Sequence, residues 1–189
     1  MNTGTVDNDA GKENIDGFHR LFFALCPGDD LRHQLAKLAE AGNLQAAGKR
    51  VPVDNMHITL VFLGQVKAQT QACIEQVAAE ISGPSFRLIL DRIGYWSRPQ
   101  ILWLAPSRVP GALSTLYEKM CTGLGSCSVT LDTRRYRPHM TLARKVKKPP
   151  PGIRFEPLVW DVRQYSLMKS SPSQDGGVNY QELACWQLG

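Results

Sequence analysis

Two places in the chain carry the same four-residue pattern: His57-Ile58-Thr59-Leu60 and His139-Met140-Thr141-Leu142. Imidazole titrates near pH ~6.5, so one ring can take a proton while another gives one at the same pH. A threonine two residues on adds a hydroxyl that can donate to a phosphoryl oxygen. Two such pairs, brought together, supply a base, an acid and two hydroxyls for an anion. Those are the parts for acid–base attack on a phosphodiester. Arg144 follows the second motif and offers charge for a developing transition state. Residue type does not say which histidine gives and which takes.

A lone His-x-Thr is commonplace. Here both copies sit on apolar strands, both continue with leucine, and they divide the chain nearly symmetrically. His19 and His33 lack that setting and read as structural or surface groups. A metal is the competing use of two histidines, but it would want a third ligand at short spacing. None accompanies either motif, and Asp54 precedes its strand. No metal and no cofactor are expected.

Strands must present these groups. Alternation puts His57 and Thr59 on one face and Ile58, Leu60 and Phe62 on the other. The second motif divides likewise, with Met140 and Leu142 inward. Arg144 has the wrong parity for an ideal strand and reaches the site only if the strand ends or bulges near Ala143. Phe62 is assigned to the core face. Tyr95 and Trp96 adjoin Gly94 at a predicted hairpin end and are candidates for stacking a nucleobase.

Around these strands the pattern reads β, α, β, α, β, β, α, β, β, β. Helices are expected after Asp29 or Asp30, over residues 68–81, and from Pro110 to Gly123 or Gly125. Residues 86–97 read as one strand and residues 155–170 as another. Hairpin-length links imply antiparallel pairing. The fold class is α+β with two similar lobes. Residues 1–17 read as a disordered tail, and 18–189 as a single bilobal domain.

The chain has 189 residues, 43% of them hydrophobic and 21% charged, with a net charge of +5. No apolar run suits a membrane span, and the first residues lack the basic and apolar regions of a secretory signal. Cytoplasmic residence is expected, as is a monomer. The five cysteines are scattered and read as free thiols. From Arg134 to Lys148 lie Arg135, Arg137, Arg144, Lys145 and Lys147, with no acid among them. That segment overlaps the second motif and suits a polyanionic substrate.

At "RLFFALCP", "DNMHITLVFLG", "LILDRIGYWSRPQILWLAP" and "YRPHMTLAR" the sequence resembles the 2H phosphoesterase superfamily, and within it the bacterial RNA 2′,3′-cyclic phosphodiesterase (2′-5′ RNA ligase) family. The resemblance implies two pseudo-symmetric lobes, with antiparallel sheets lining a central basic cleft and helices outside. It implies hydrolysis of RNA ends bearing a 2′,3′-cyclic phosphate to 2′-phosphomonoesters, with 2′-5′ ligation as a related activity. His57 resembles the proton donor and His139 the proton acceptor, with Thr59 and Thr141 holding the phosphate. The family comparison leaves Arg144 as an inference from charge. The competing functions are hydrolysis of small cyclic nucleotides or 2′-5′ oligoadenylates, and a non-catalytic RNA-binding module.

Overall fold

Leu21 to Leu25 form an unbroken apolar run in β1 (Phe18–Leu25), and all five residues are buried. A strand apolar on both faces needs cover on both, and β1 lies inside a sheet, between β3 (Ile58–Lys67) and β9 (Gln164–Pro172). The computed structural model describes residues 17–173 and 177–189, apart from the side chains of residues 45 and 46. The expected tail lies outside the described residues except for Gly17.

The other elements are α1 (Asp29–Ala41), α2 (Leu44–Ala47), β2 (Lys49–Arg50), α3 (Ala68–Glu80), β4 (Phe86–Leu90), β5 (Arg92–Trp96), β6 (Ile101–Ala105), α4 (Gly111–Leu124), β7 (Met140–Arg144), β8 (Leu158–Val162) and β10 (Val178–Gln187). The main sheet runs β10-β9-β1-β3-β7-β6-β5, with β2 against β7; β4 and β8 pair in a second, two-stranded sheet. Every pairing is antiparallel. The α+β class and the antiparallel sheets are those expected.

The helices bury one stripe each: Leu31, Leu35 and Leu38 of α1, Ile74 and Ala78 of α3, and Leu113, Leu116, Met120 and Leu124 of α4. They share one core with the inward rows of the main sheet and with Leu88, Leu90, Trp160 and Val162 of the small one.

Two predicted strands are each split. Residues 86–97 break at Asp91, whose carboxylate takes the Ser107 amide and hydroxyl, both at 2.6 Å. That anchor lets β4 leave for β8 while β5 pairs with β6. Residues 155–170 break between Val162 and Gln164, where β8 gives way to β9. Continuous hydrophobic patterning hid both changes of sheet.

The free-thiol expectation fails for one pair. Cys73 of α3 is bonded to Cys127, in the 3-10 turn after α4, with Cα atoms 5.7 Å apart. The helices approach closely where Gly123 meets Val77. Cys26, Cys121 and Cys185 remain thiols. The bond closes a sequence separation of 54, which in a chain-entropy account stabilises by about 4 kcal/mol. Cys73→Ser is therefore expected to lower the urea midpoint measurably, with a higher m-value because the unlinked denatured chain exposes more surface. A midpoint equal to that of the parent protein would mean that the bond contributes no stability.

Candidate active site

Each motif histidine stands one residue before its strand begins. Ile58 pairs with Met140, and this is the one Cα pairing between β3 and β7 among the described residues. Continuing that antiparallel register, His57 lies across from Thr141, and Thr59 across from His139. All four face away from Ile58 and Met140, which are fully buried. The motif strands are thus neighbours at the seam of one sheet. A local pseudo-twofold axis passes through the Ile58–Met140 pair, with β10-β9-β1-β3 on one side and β7-β6-β5 on the other.

Both motifs bulge at their leucine. Ala24 pairs with Thr59 and Phe23 with Val61, so Leu60 is an extra residue. Trp103 pairs with Thr141 and Leu102 with Ala143, so Leu142 is extra too. Consecutive residues are then buried: Leu60 with Val61, and Leu142 with Ala143. Strand parity inverts beyond them. Phe62 turns to the His/Thr face and is 41% exposed, which corrects its assignment to the core. The Arg20 guanidinium lies 5.2 Å over its ring. Arg144 turns to the same face by the equivalent bulge and is exposed.

The two imidazoles are held alike. His57 Nδ1 donates to the Asn55 carbonyl and His139 Nδ1 to the Arg137 carbonyl, each at 2.8 Å. A carbonyl can only accept, so each neutral ring carries its proton on Nδ1 and keeps the Nε2 lone pair. Burial, above all, lowers the His57 pKa to about 4; the Arg144 guanidinium and His139 push the same way against the Asn55 bond. His139 is lowered too, first by burial and then by Arg144. The charge of Arg144 is felt at both rings.

Aromatic groups flank each histidine. Phe22 and Tyr180 lie 4.9 and 5.0 Å from His57, ring to ring. Trp96 meets His139 edge-on at 4.6 Å and leans on Trp103 at 5.5 Å. Trp103 lies flat over Gly94, where any Cβ would collide with the indole. Tyr95 points elsewhere: its hydroxyl donates to the Val146 carbonyl at 2.6 Å, and its ring packs against the core. Asn55 adds a second tie, its Nδ2 donating to the Val178 carbonyl of β10 at 3.0 Å. Phe22, Tyr180 and Asn55 were not singled out from the sequence. Tyr180 sits in the last strand, and nothing local marks it.

The basic segment is less uniform than its composition suggests. Arg134 donates from Nε to Asp132 at 2.9 Å, so an acid just outside the run occupies it. Arg135, Arg137, Lys145, Lys147 and Lys148 are exposed. His19 bonds Gln71 and His33 the Asp29 carbonyl, both as structural groups. No three His, Cys, Asp or Glu side chains cluster as metal ligands among the described residues. A cavity of about 730 Å³ opens beside Phe62, lined also by Lys67, Thr70 and Thr130, but neither motif histidine lines it. The paired histidines lie outside it, half-buried at the seam between β3 and β7.

The model of a family described as the 2′-5′ RNA ligase superfamily matches residues 27–184. The RNA 2′,3′-cyclic phosphodiesterase of Escherichia coli (strain K12) is 31% identical over 173 residues, covering 89% of this chain and 96% of that protein. Its counterpart in Thermotoga maritima is 27% identical over 171 residues, covering 84% and 90%. Among solved structures, E. coli LigT in apo form matches with a TM-score of 0.81 and 29% identity, covering 91% of this chain and 98% of that one. LigT complexed with 3′-AMP matches at 0.79 and 28%, with the same coverage.

Proposed function

Because the chain belongs to the 2′-5′ RNA ligase superfamily, we propose that it hydrolyses 2′,3′-cyclic phosphate ends of RNA to 2′-phosphomonoesters by a two-histidine, metal-independent mechanism. The observation that carries this is the shared tethering of both rings through Nδ1, which frees both Nε2 atoms beside two threonine hydroxyls and Arg144.

His139 Nε2 takes a proton from water as the oxygen attacks phosphorus. The P–O3′ bond breaks, and protonated His57 gives its Nε2 proton to the departing 3′ oxygen. Water is consumed, and a 2′-phosphate and a 3′-hydroxyl remain. Thr59, Thr141 and Arg144 hold the non-bridging oxygens as charge builds. The family resemblance, not the chemistry, assigns donor and acceptor. An RNA 5′-hydroxyl in place of water would form a 2′-5′ linkage by the same transfers. Trp96, against His139, then lines the side from which the nucleophile arrives. The protein acts as a monomer in the cytoplasm on this reading.

The test is turnover of 2′,3′-cyclic AMP and of an oligonucleotide ending in a 2′,3′-cyclic phosphate, in excess EDTA, with the monoester identified. Both substrates are expected to yield 2′-phosphates. Loss of activity in EDTA would overturn the metal-independent scheme, and a 3′-phosphate product the regiochemistry. Turnover of the mononucleotide alone would assign a small cyclic nucleotide as substrate.

A further inference from the structure

Resting on that reading, we propose that Glu182 selects the base of the terminal nucleotide by accepting hydrogen bonds from N–H groups on its pairing edge. The departing 3′ oxygen belongs to the terminal ribose, and His57 protonates it. The terminal nucleoside therefore lies on the His57 side of the seam.

An apolar layer lies under the surface there. Phe22, Ala24 and Met168 form a small buried cluster separate from the main core, with Tyr180 and Cys26 packed against it. Phe22 and Tyr180 meet edge to face at 5.3 Å. Glu182 follows Tyr180 by two residues in β10, so it shares that face, and it pairs across from Met168. It stands at the border of the apolar floor.

Its carboxylate is fixed. Ser166, fully buried in β9, donates from Oγ to Glu182 Oε2 at 2.7 Å. Glu182 is itself exposed and enters no ion pair among the described residues. Its charge reaches into the same cluster: burial, then Glu182, pushes the Cys26 thiol up to about 11.

A carboxylate beside a phosphodiester site opposes the phosphate by Coulomb repulsion. What it adds is acceptor capacity, because an ionised carboxyl accepts only and retains free lone pairs after one bond from Ser166. Guanine offers adjacent N1–H and N2–H donors, the best match to two carboxylate oxygens. Adenine and cytosine offer an amino group beside an acceptor. Uracil offers one N–H between two carbonyls, which the carboxylate repels.

The experiment compares kcat/KM for the four nucleoside 2′,3′-cyclic phosphates, with binding of the four nucleoside 2′-phosphates measured by calorimetry. Guanosine is expected to exceed uridine by on the order of tenfold or more. Glu182→Gln should bring that ratio near unity or below, because an amide donates as well as accepts. Ser166→Ala should lower the ratio partway by releasing the carboxylate. Equal treatment of all bases by the parent protein, an unchanged ratio in Glu182→Gln, or an equal loss for every base would overturn the proposal. Failure of the hydrolase reading is distinguishable: turnover is then absent for every base. The calorimetry still decides, since base-selective binding lost in Glu182→Gln supports the role and unselective binding refutes it.

Discussion

His57→Ala and His139→Ala are each expected to lower kcat/KM for a 2′,3′-cyclic nucleotide by about 10²- to 10⁴-fold. Each ring carries one of two proton transfers in the same step, so losing either leaves a high-energy oxygen uncompensated. The double mutant should then fall little below the worse single mutant, because the groups act as a unit. His57 is also packed between Phe22 and Tyr180, so alanine there leaves a gap. His57→Gln fills part of that gap without a titrating ring, and it should be as inactive as alanine with a higher melting temperature. A mutant at either position with near-parental kcat/KM would remove that histidine from the mechanism.

Arg144→Ala is expected to cost about 10²- to 10³-fold, the scale for one lost charge-stabilising donor, and to move the pH profile. The sign follows from the two rings. Burial, helped by Arg144, holds His57 to about 4 and keeps His139 below its ordinary value. Activity needs one proton shared between them, and in the free enzyme that population shrinks as pH rises through the higher of two pair constants. The parent kcat/KM should therefore peak on the acid side of 6.5 and decline towards pH 8. Removing the guanidinium removes a like charge from both rings, so both pKa values rise and the peak moves to higher pH. Arg144→Lys keeps the charge but loses the planar fork. It should restore the acidic peak without restoring the full rate. A profile that stays put in Arg144→Ala would show that its charge does not govern the histidines.

The shared face of each His/Thr pair and the helix stripes follow from periodicity, and the antiparallel sheets from hairpin-length links. Where the expectations fail, long-range pairing decides. An extra residue at Leu60 is visible only against β1, and one at Leu142 only against β6. Each reverses the parity that sequence must assume, so Phe62 was assigned inward while Arg144 needed the break that the strand in fact makes. The change of sheet at Asp91 depends on a Ser107 bond across the chain. Tyr180 reaches His57 through strand order, and Cys73 meets Cys127 through helix packing. None of these partners is near its mate in sequence.

Strand order also bears on when the protein becomes competent. β1 is flanked by β3 and by β9, and β10 closes the edge beyond. A chain emerging from the ribosome N-terminus first exposes His57 long before Tyr180, which packs on it. The Val178 carbonyl that receives Asn55 is also made late. The surroundings of His57 are thus begun early and finished by a strand translated more than a hundred positions later, as the separation of 123 between Asn55 and Val178 shows. A ribosome is itself made of RNA, and a nascent copy from which β10 has yet to emerge has the histidines of both motifs but lacks the strand that completes the surroundings of the first.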